Sequence, residues 1–88
     1  MLKVKLDNGF EVKIEPESLN DMYFIEALAS VEDNILKMSK VCSMLLGEEQ
    51  KAALYKSLES EDGRVPLEAV SDAITEIMTK AGEEVKNS

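Results

Sequence analysis

The segment LKVKLDNGFEVKI, residues 2–14, limits what this chain can fold into more than any other stretch. Leu2, Val4 and Leu6 alternate with Lys3 and Lys5, and Phe10, Val12 and Ile14 alternate with Glu11 and Lys13. A period of two with one apolar face marks a strand buried on one side. Two turns could join the strands. A two-residue Asn8-Gly9 turn would set Leu6 opposite Glu11 and Val4 opposite Lys13. Opposed residues share a face, so that register mixes apolar with charged groups. A three-residue loop, Asp7-Asn8-Gly9, pairs Leu6 with Phe10, Val4 with Val12 and Leu2 with Ile14, with Gly9 in the left-handed position of a bulge. The second register keeps the faces separate. A lone hairpin is barely stable in water, so its apolar face must rest on the rest of the chain.

The remaining sequence reads as helices. Pro16 cannot donate to a ladder, and Ser18 or Asn20 can cap a first helix over 19–30. Met22, Ile25 and Leu28 form its inward stripe, widened by Tyr23, Phe24 and Ala27. VEDN interrupts it and offers Asp33 or Asn34 as the next cap. A second helix over 35–46 carries Ile35, Met38, Val41, Cys42 and Leu45 at spacings of three and four. Gly47 closes it in a left-handed conformation. A third helix over 48–60 turns Leu54, Tyr55 and Leu58 inward, and Glu48 and Glu49 suit its positive end. The fourth, over 66–81, repeats Leu67, Val70, Ile74, Ile77 and Ala81, with Pro66 in its first turn. Residues 83–88 are polar and expected to fray. The expected fold is α+β: one domain over 1–82, an N-terminal β-hairpin packed on a mostly α-helical body of about four helices.

Composition narrows the function. The chain has 88 residues, room for one modest core and no deep pocket beside it. Its net charge of −8 disfavours contact with a phosphate backbone. An acidic decoy that imitates DNA is one alternative, although the lysines are interleaved with the acids. The single Cys42 implies no internal disulfide. Residues 1–14 lack the apolar core of a signal peptide, and no apolar run approaches a membrane span. A cytoplasmic protein with no membrane contact is expected.

Chemistry finds little purchase. SEDGRVPLEA, residues 60–69, resembles half of a calcium loop. With Gly63 at the loop's sixth position, however, Leu58 and Ala69 fall where Asp and Glu should stand. A joint between helices is the better reading, with Val65 dropping into the core. The chain has no His, so imidazole catalysis and imidazole metal ligation are absent. Cys42 lies in an apolar stripe, a core thiol. Isolated glycines make no phosphate cradle. No enzyme, cofactor or metal site is expected. Interaction remains: Met22, Tyr23, Phe24 and Ile25 are consecutive, cannot all face one core, and would leave Met22, Tyr23 and Phe24 as a partner-binding patch.

A resemblance gives this a direction. LNDMYFIEALASVED, then LLGEEQKAALYKSLESEDGRVPLEAVSDAITEIM, and the close GEEVKNS resemble small tail assembly chaperones of long-tailed phages and prophages of Gram-positive bacteria. The N-terminal strand pair is similar as well. The resemblance implies a non-enzymatic protein of the host cytoplasm, absent from the mature virion. It would bind the helical tape measure protein, keep it soluble and help recruit the tail tube protein, with a homo-oligomer possible. A small adaptor built into the virion is a second alternative. The family commonly makes a longer product by a ribosomal slip near the end of the short one, and Lys86-Asn87 is the dipeptide that could encode it here. Five Met residues suit an adaptable surface.

Overall fold

The computed structural model describes the backbone of residues 1–87 and the side chains through Glu84. Strands β1 (Leu2–Lys5) and β2 (Glu11–Ile14) form an antiparallel hairpin that pairs Leu2 with Ile14 and Val4 with Val12. The three-residue loop closes it. Leu6 N donates to Phe10 O at 2.7 Å, Gly9 N donates to Leu6 O at 2.9 Å, and Gly9 adopts φ 92°. Asn8 Oδ1 accepts from Phe10 N at 2.9 Å and fixes the bulge. Val4, Leu6, Val12 and Ile14 are buried, while Lys3, Lys5, Glu11 and Lys13 face solvent. The fold is α+β, and β1 packs on the last helix while β2 packs on the long middle one.

Helix formation after β2 differs from the sequence expectation. Instead of one helix over 19–30, a single turn α1 (Pro16–Leu19) precedes α2 (Met22–Ser30). Neither Ser18 nor Asn20 caps α2. Asp21 does, accepting Tyr23 N at 2.9 Å from an extended backbone that breaks the helix before it. The inward face differs too. Phe24 and Ala27 are buried and Leu28 and Val31 half-buried, whereas Met22 and Ile25 are exposed. Both stripes obey helical spacing. The one through Phe24 brings the larger ring, and with it more apolar surface, into the core.

Asn34 Oδ1 accepts from Leu36 N at 3.1 Å and starts a 3₁₀ turn at Ile35–Lys37, which leads into α3 (Met38–Leu58). The second helix therefore begins tighter than expected, and Ile35 is exposed rather than part of the stripe. Gly47 breaks α3 into two segments at φ 78°, ψ 164°. Met38, Val41, Cys42, Leu45 and Leu46 are buried before the break and Leu54 after it, with Tyr55 and Leu58 half-buried. The helix stops at Leu58 rather than residue 60, since Glu59 is extended.

In the joint, Ser60 N donates to Arg64 O at 2.7 Å and Gly63 N donates to Ser60 O at 3.0 Å. Val65 is half-buried. Pro66 stands just ahead of α4 (Leu67–Asn87), and its carbonyl accepts from Val70 N at 3.2 Å. Val70, Ala73, Ile74, Ile77 and Ala81 form the buried stripe of α4. Leu67 lies outside it, half exposed. The helix runs past residue 81, its expected end, and continues through Asn87. Glu83, Glu84 and Lys86 are good helix formers, and Gly82 takes no positive φ. The side chains of Lys86 and Asn87 lie outside the described residues. Among the described residues, no helix is long and apolar enough to cross a membrane.

Candidate interaction surface

The break at Gly47 gathers the polar chemistry of the middle helix. Lys51 Nζ, one turn past the break, lies 2.8 Å from Ser43 Oγ, 3.3 Å from Ser39 Oγ and 3.1 Å from Glu48 Oε2. A serine beside a lysine can be a nucleophile and its base. Here Lys51 is held by Glu48 and by both serines at once. The group braces the two segments of α3 across the glycine. Cys42 is fully buried nearby. Burial pushes its thiol pKa up, against the opposing pull of the Tyr55 hydroxyl and the Lys51 charge. A thiol held neutral in this way is a poor nucleophile.

The SEDGRVPLEA joint uses its polar groups on itself. Arg64 N donates to Asp62 Oδ1 at 3.2 Å, and the Ser60 hydroxyl bonds Asp62 Oδ1 and lies 2.9 Å from Arg64 O. These contacts hold the Asp62 carboxyl below its ordinary pKa, the Ser60 hydroxyl first and the Arg64 amide second. Among the described residues, no three His, Cys, Asp or Glu side chains gather where a metal ion could sit.

Exposed apolar side chains define the remaining candidate. Of the three residues expected to form a patch, Met22 and Tyr23 are on the surface, Tyr23 at 79% of its full exposure. Phe24 is a correction, because it is 1% exposed and serves the core. Asp21 fixes the start of α2, and the turn of 100° per residue then sends adjacent side chains to different faces. Ile25 adds to the outer face. Tyr23 also borders a hollow of about 440 Å³ shared with Lys37, Lys40 and Met44.

A second apolar site escaped the sequence reading. Ile35, Leu36 and Leu67 rim a groove of about 250 Å³ floored by Met38, Tyr55 and Val70. Leu36 is 84% exposed, more than any other large apolar side chain described. The 3₁₀ turn puts it there: the Asn34 cap fixes the turn, and Ile35 and Leu36 both precede the first buried residue, Met38. The only signal available in the sequence was an Ile-Leu pair directly after a cap, ahead of a stripe that already had its full set of apolar residues.

Comparison of the chain with family models, curated proteins and solved structures gives no match.

Proposed function

We propose that this protein is a tail assembly chaperone of a long-tailed phage or prophage, which binds the helical tape measure protein and keeps it soluble while the tail is built. The role is non-enzymatic and belongs to the host cytoplasm. The sequence resemblance supplies the direction. The observation that carries it physically is the pair of exposed apolar sites, Met22 with Tyr23 and the groove rimmed by Ile35, Leu36 and Leu67, on a body of net charge −8. Amphipathic helices are recognised when their apolar stripe lies in an apolar groove. The surrounding charge would keep such a complex in solution. Recruitment of the tail tube protein would follow once the tape measure protein is coated.

Co-expression with segments of a tape measure protein tests the reading. The chaperone should raise the soluble yield of the segment and co-purify with it. Leu36→Glu and Tyr23→Glu should each reduce capture while circular dichroism stays unchanged. An unaltered yield without the chaperone, or capture that both variants leave intact, would sink the proposal. Recovery of the protein in purified particles would favour the virion adaptor, and displacement of DNA from a DNA-binding protein would favour the decoy.

A further inference from the structure

The hairpin has two outer edges, and each is touched by a helix side chain. On β1, Lys80 Nζ donates to Lys5 O at 2.8 Å. On β2 the contact is closer to that of a neighbouring strand. Lys13 N donates to Gln50 Oε1 at 2.7 Å, and Gln50 Nε2 donates back to Lys13 O at 2.8 Å. One amide thus gives and receives with a single residue, as a residue on an adjoining antiparallel strand does. Gln50 Nε2 also reaches Leu46 O at 2.8 Å, which anchors it to α3.

Register identifies which groups point outward. Leu6 N bonds Phe10 O, so hydrogen-bonded pairs recur at Val4 with Val12 and at Leu2 with Ile14. The residues between them, Glu11 and Lys13 on β2, turn their N–H and C=O away from β1. Gln50 satisfies Lys13. For Glu11, no such partner occurs among the described residues. Alongside lies a cleft of about 600 Å³ with Glu11 and Lys13 on one wall and Met44, Gly47 and Gln50 on the other. A Cβ built on Gly47 would meet nothing within 4 Å, so the far wall is open at the helix break.

Charge selects the occupant. Across the hairpin, Lys5 faces Glu11, a favourable pair, but Lys3 faces Lys13. Like charges directly opposite are destabilising. A second β2 laid antiparallel along this edge, with Val12 opposite Val12, sets Glu11 of each copy against Lys13 of the other. Glu11 and Lys13 are also the two residues whose main-chain groups point outward, so hydrogen bonds and ion pairs fall at the same positions. Self-pairing of the β1 edge would set lysine against lysine.

We propose that the outer edge of β2 is a strand-pairing surface for a second copy of this chain, held closed in the monomer by Gln50. Pairing requires Gln50 to leave Lys13, and the hairpins then join as a four-stranded sheet. This inference does not depend on what else the protein binds.

Sedimentation equilibrium of the full chain tests it. Gln50→Ala should tighten self-association by about tenfold or more, since two competing hydrogen bonds are removed. Adding Glu11→Lys should return the protein to a monomer, and adding Lys13→Glu to that should restore the dimer. A Gln50→Ala protein that stays monomeric at millimolar concentration overturns the proposal, as does self-association indifferent to Glu11→Lys. Should Gln50→Ala fail to fold, the chain with Gln50 intact still decides. Glu11→Cys and Lys13→Cys proteins, mixed under mild oxidation, should form the mixed disulfide faster than either forms its own. Equal rates overturn the proposal.

Discussion

Tyr23 and Phe24 are neighbours in the chain and opposites in the fold: 79% of Tyr23 meets solvent and 1% of Phe24 does. Substitution should separate them cleanly. Phe24→Ala removes a ring from the centre of the core and should lower stability by about 3–5 kcal/mol, a large part of what a domain of this size holds. Tyr23→Glu adds charge to a surface that is already solvated and should change stability by about 0.5 kcal/mol or less. Urea denaturation followed by circular dichroism measures both. A Tyr23→Glu protein as damaged as Phe24→Ala would mean that α2 is rotated from the arrangement described.

Two glycines should resist substitution for different reasons. Gly9, at φ 92°, closes the hairpin, and Gly47, at φ 78° and ψ 164°, breaks α3. Neither would place a new Cβ within 4 Å of another residue, so the penalty is backbone strain alone. Gly9→Val should lose about 1–2 kcal/mol. Gly47→Ala occupies a region that is essentially glycine-only and should lose about 1–3 kcal/mol. Gly9→Asn should be milder, because Asn tolerates positive φ better than a β-branched residue. An unchanged denaturation midpoint for Gly9→Val would mean that Gly9 does not hold the left-handed conformation described.

The hairpin was legible to the residue because two constraints coincide there. Alternation of apolar and charged residues fixes the faces, and only one loop length keeps them apart. Gly47 and the stripe of α4 from Val70 to Ala81, apart from Ala73, were legible for similar reasons. The phase of α2 was not, because Met22-Ile25-Leu28 and Phe24-Ala27-Leu28 both satisfy helical spacing and packing alone chooses between them. The exposure of Ile35, Leu36 and Leu67 depends on where other elements end, which no local pattern records. The Gln50 contact with Lys13 joins positions distant in sequence through an amide that reads as an ordinary surface residue. Sequence located half of the candidate surface, Met22 and Tyr23, and misplaced Phe24.

Calcium should have no effect on stability. In the Ser60–Arg64 joint, Asp62 Oδ1 already accepts from the Ser60 hydroxyl and the Arg64 amide, so that oxygen is engaged in holding the turn. Thermal melts with and without millimolar calcium should superimpose. A rise in Tm that grows with calcium concentration would show that the loop reorganises around the ion.

Stability should fall on the alkaline side, and three groups set the direction. Burial raises the pKa of Cys42, burial and then the proximity of Cys42 raise that of Tyr55, and Glu76 followed by Asp7 raise that of Lys80. Each group holds its proton to higher pH in the folded state than in the unfolded chain. The unfolded state therefore binds fewer protons across the interval between the two values, and stability declines with rising pH there. The full contribution is present below the unfolded pKa of each group and is lost as pH climbs through the folded one. Lys80 is bound by Glu76 Oε2 at 2.7 Å and Asp7 Oδ1 at 3.1 Å, both near the surface, so salt should weaken its share. Cys42 is buried, so its share should be indifferent to salt. Urea midpoints measured from neutral pH upward should fall in the wild type and fall less steeply in Cys42→Ala, whatever the starting stability of the variant. A Cys42→Ala profile parallel to the wild type would show that the thiol ionises as readily folded as unfolded. The same burial predicts slow alkylation of Cys42 in the native protein and rapid reaction in denaturant.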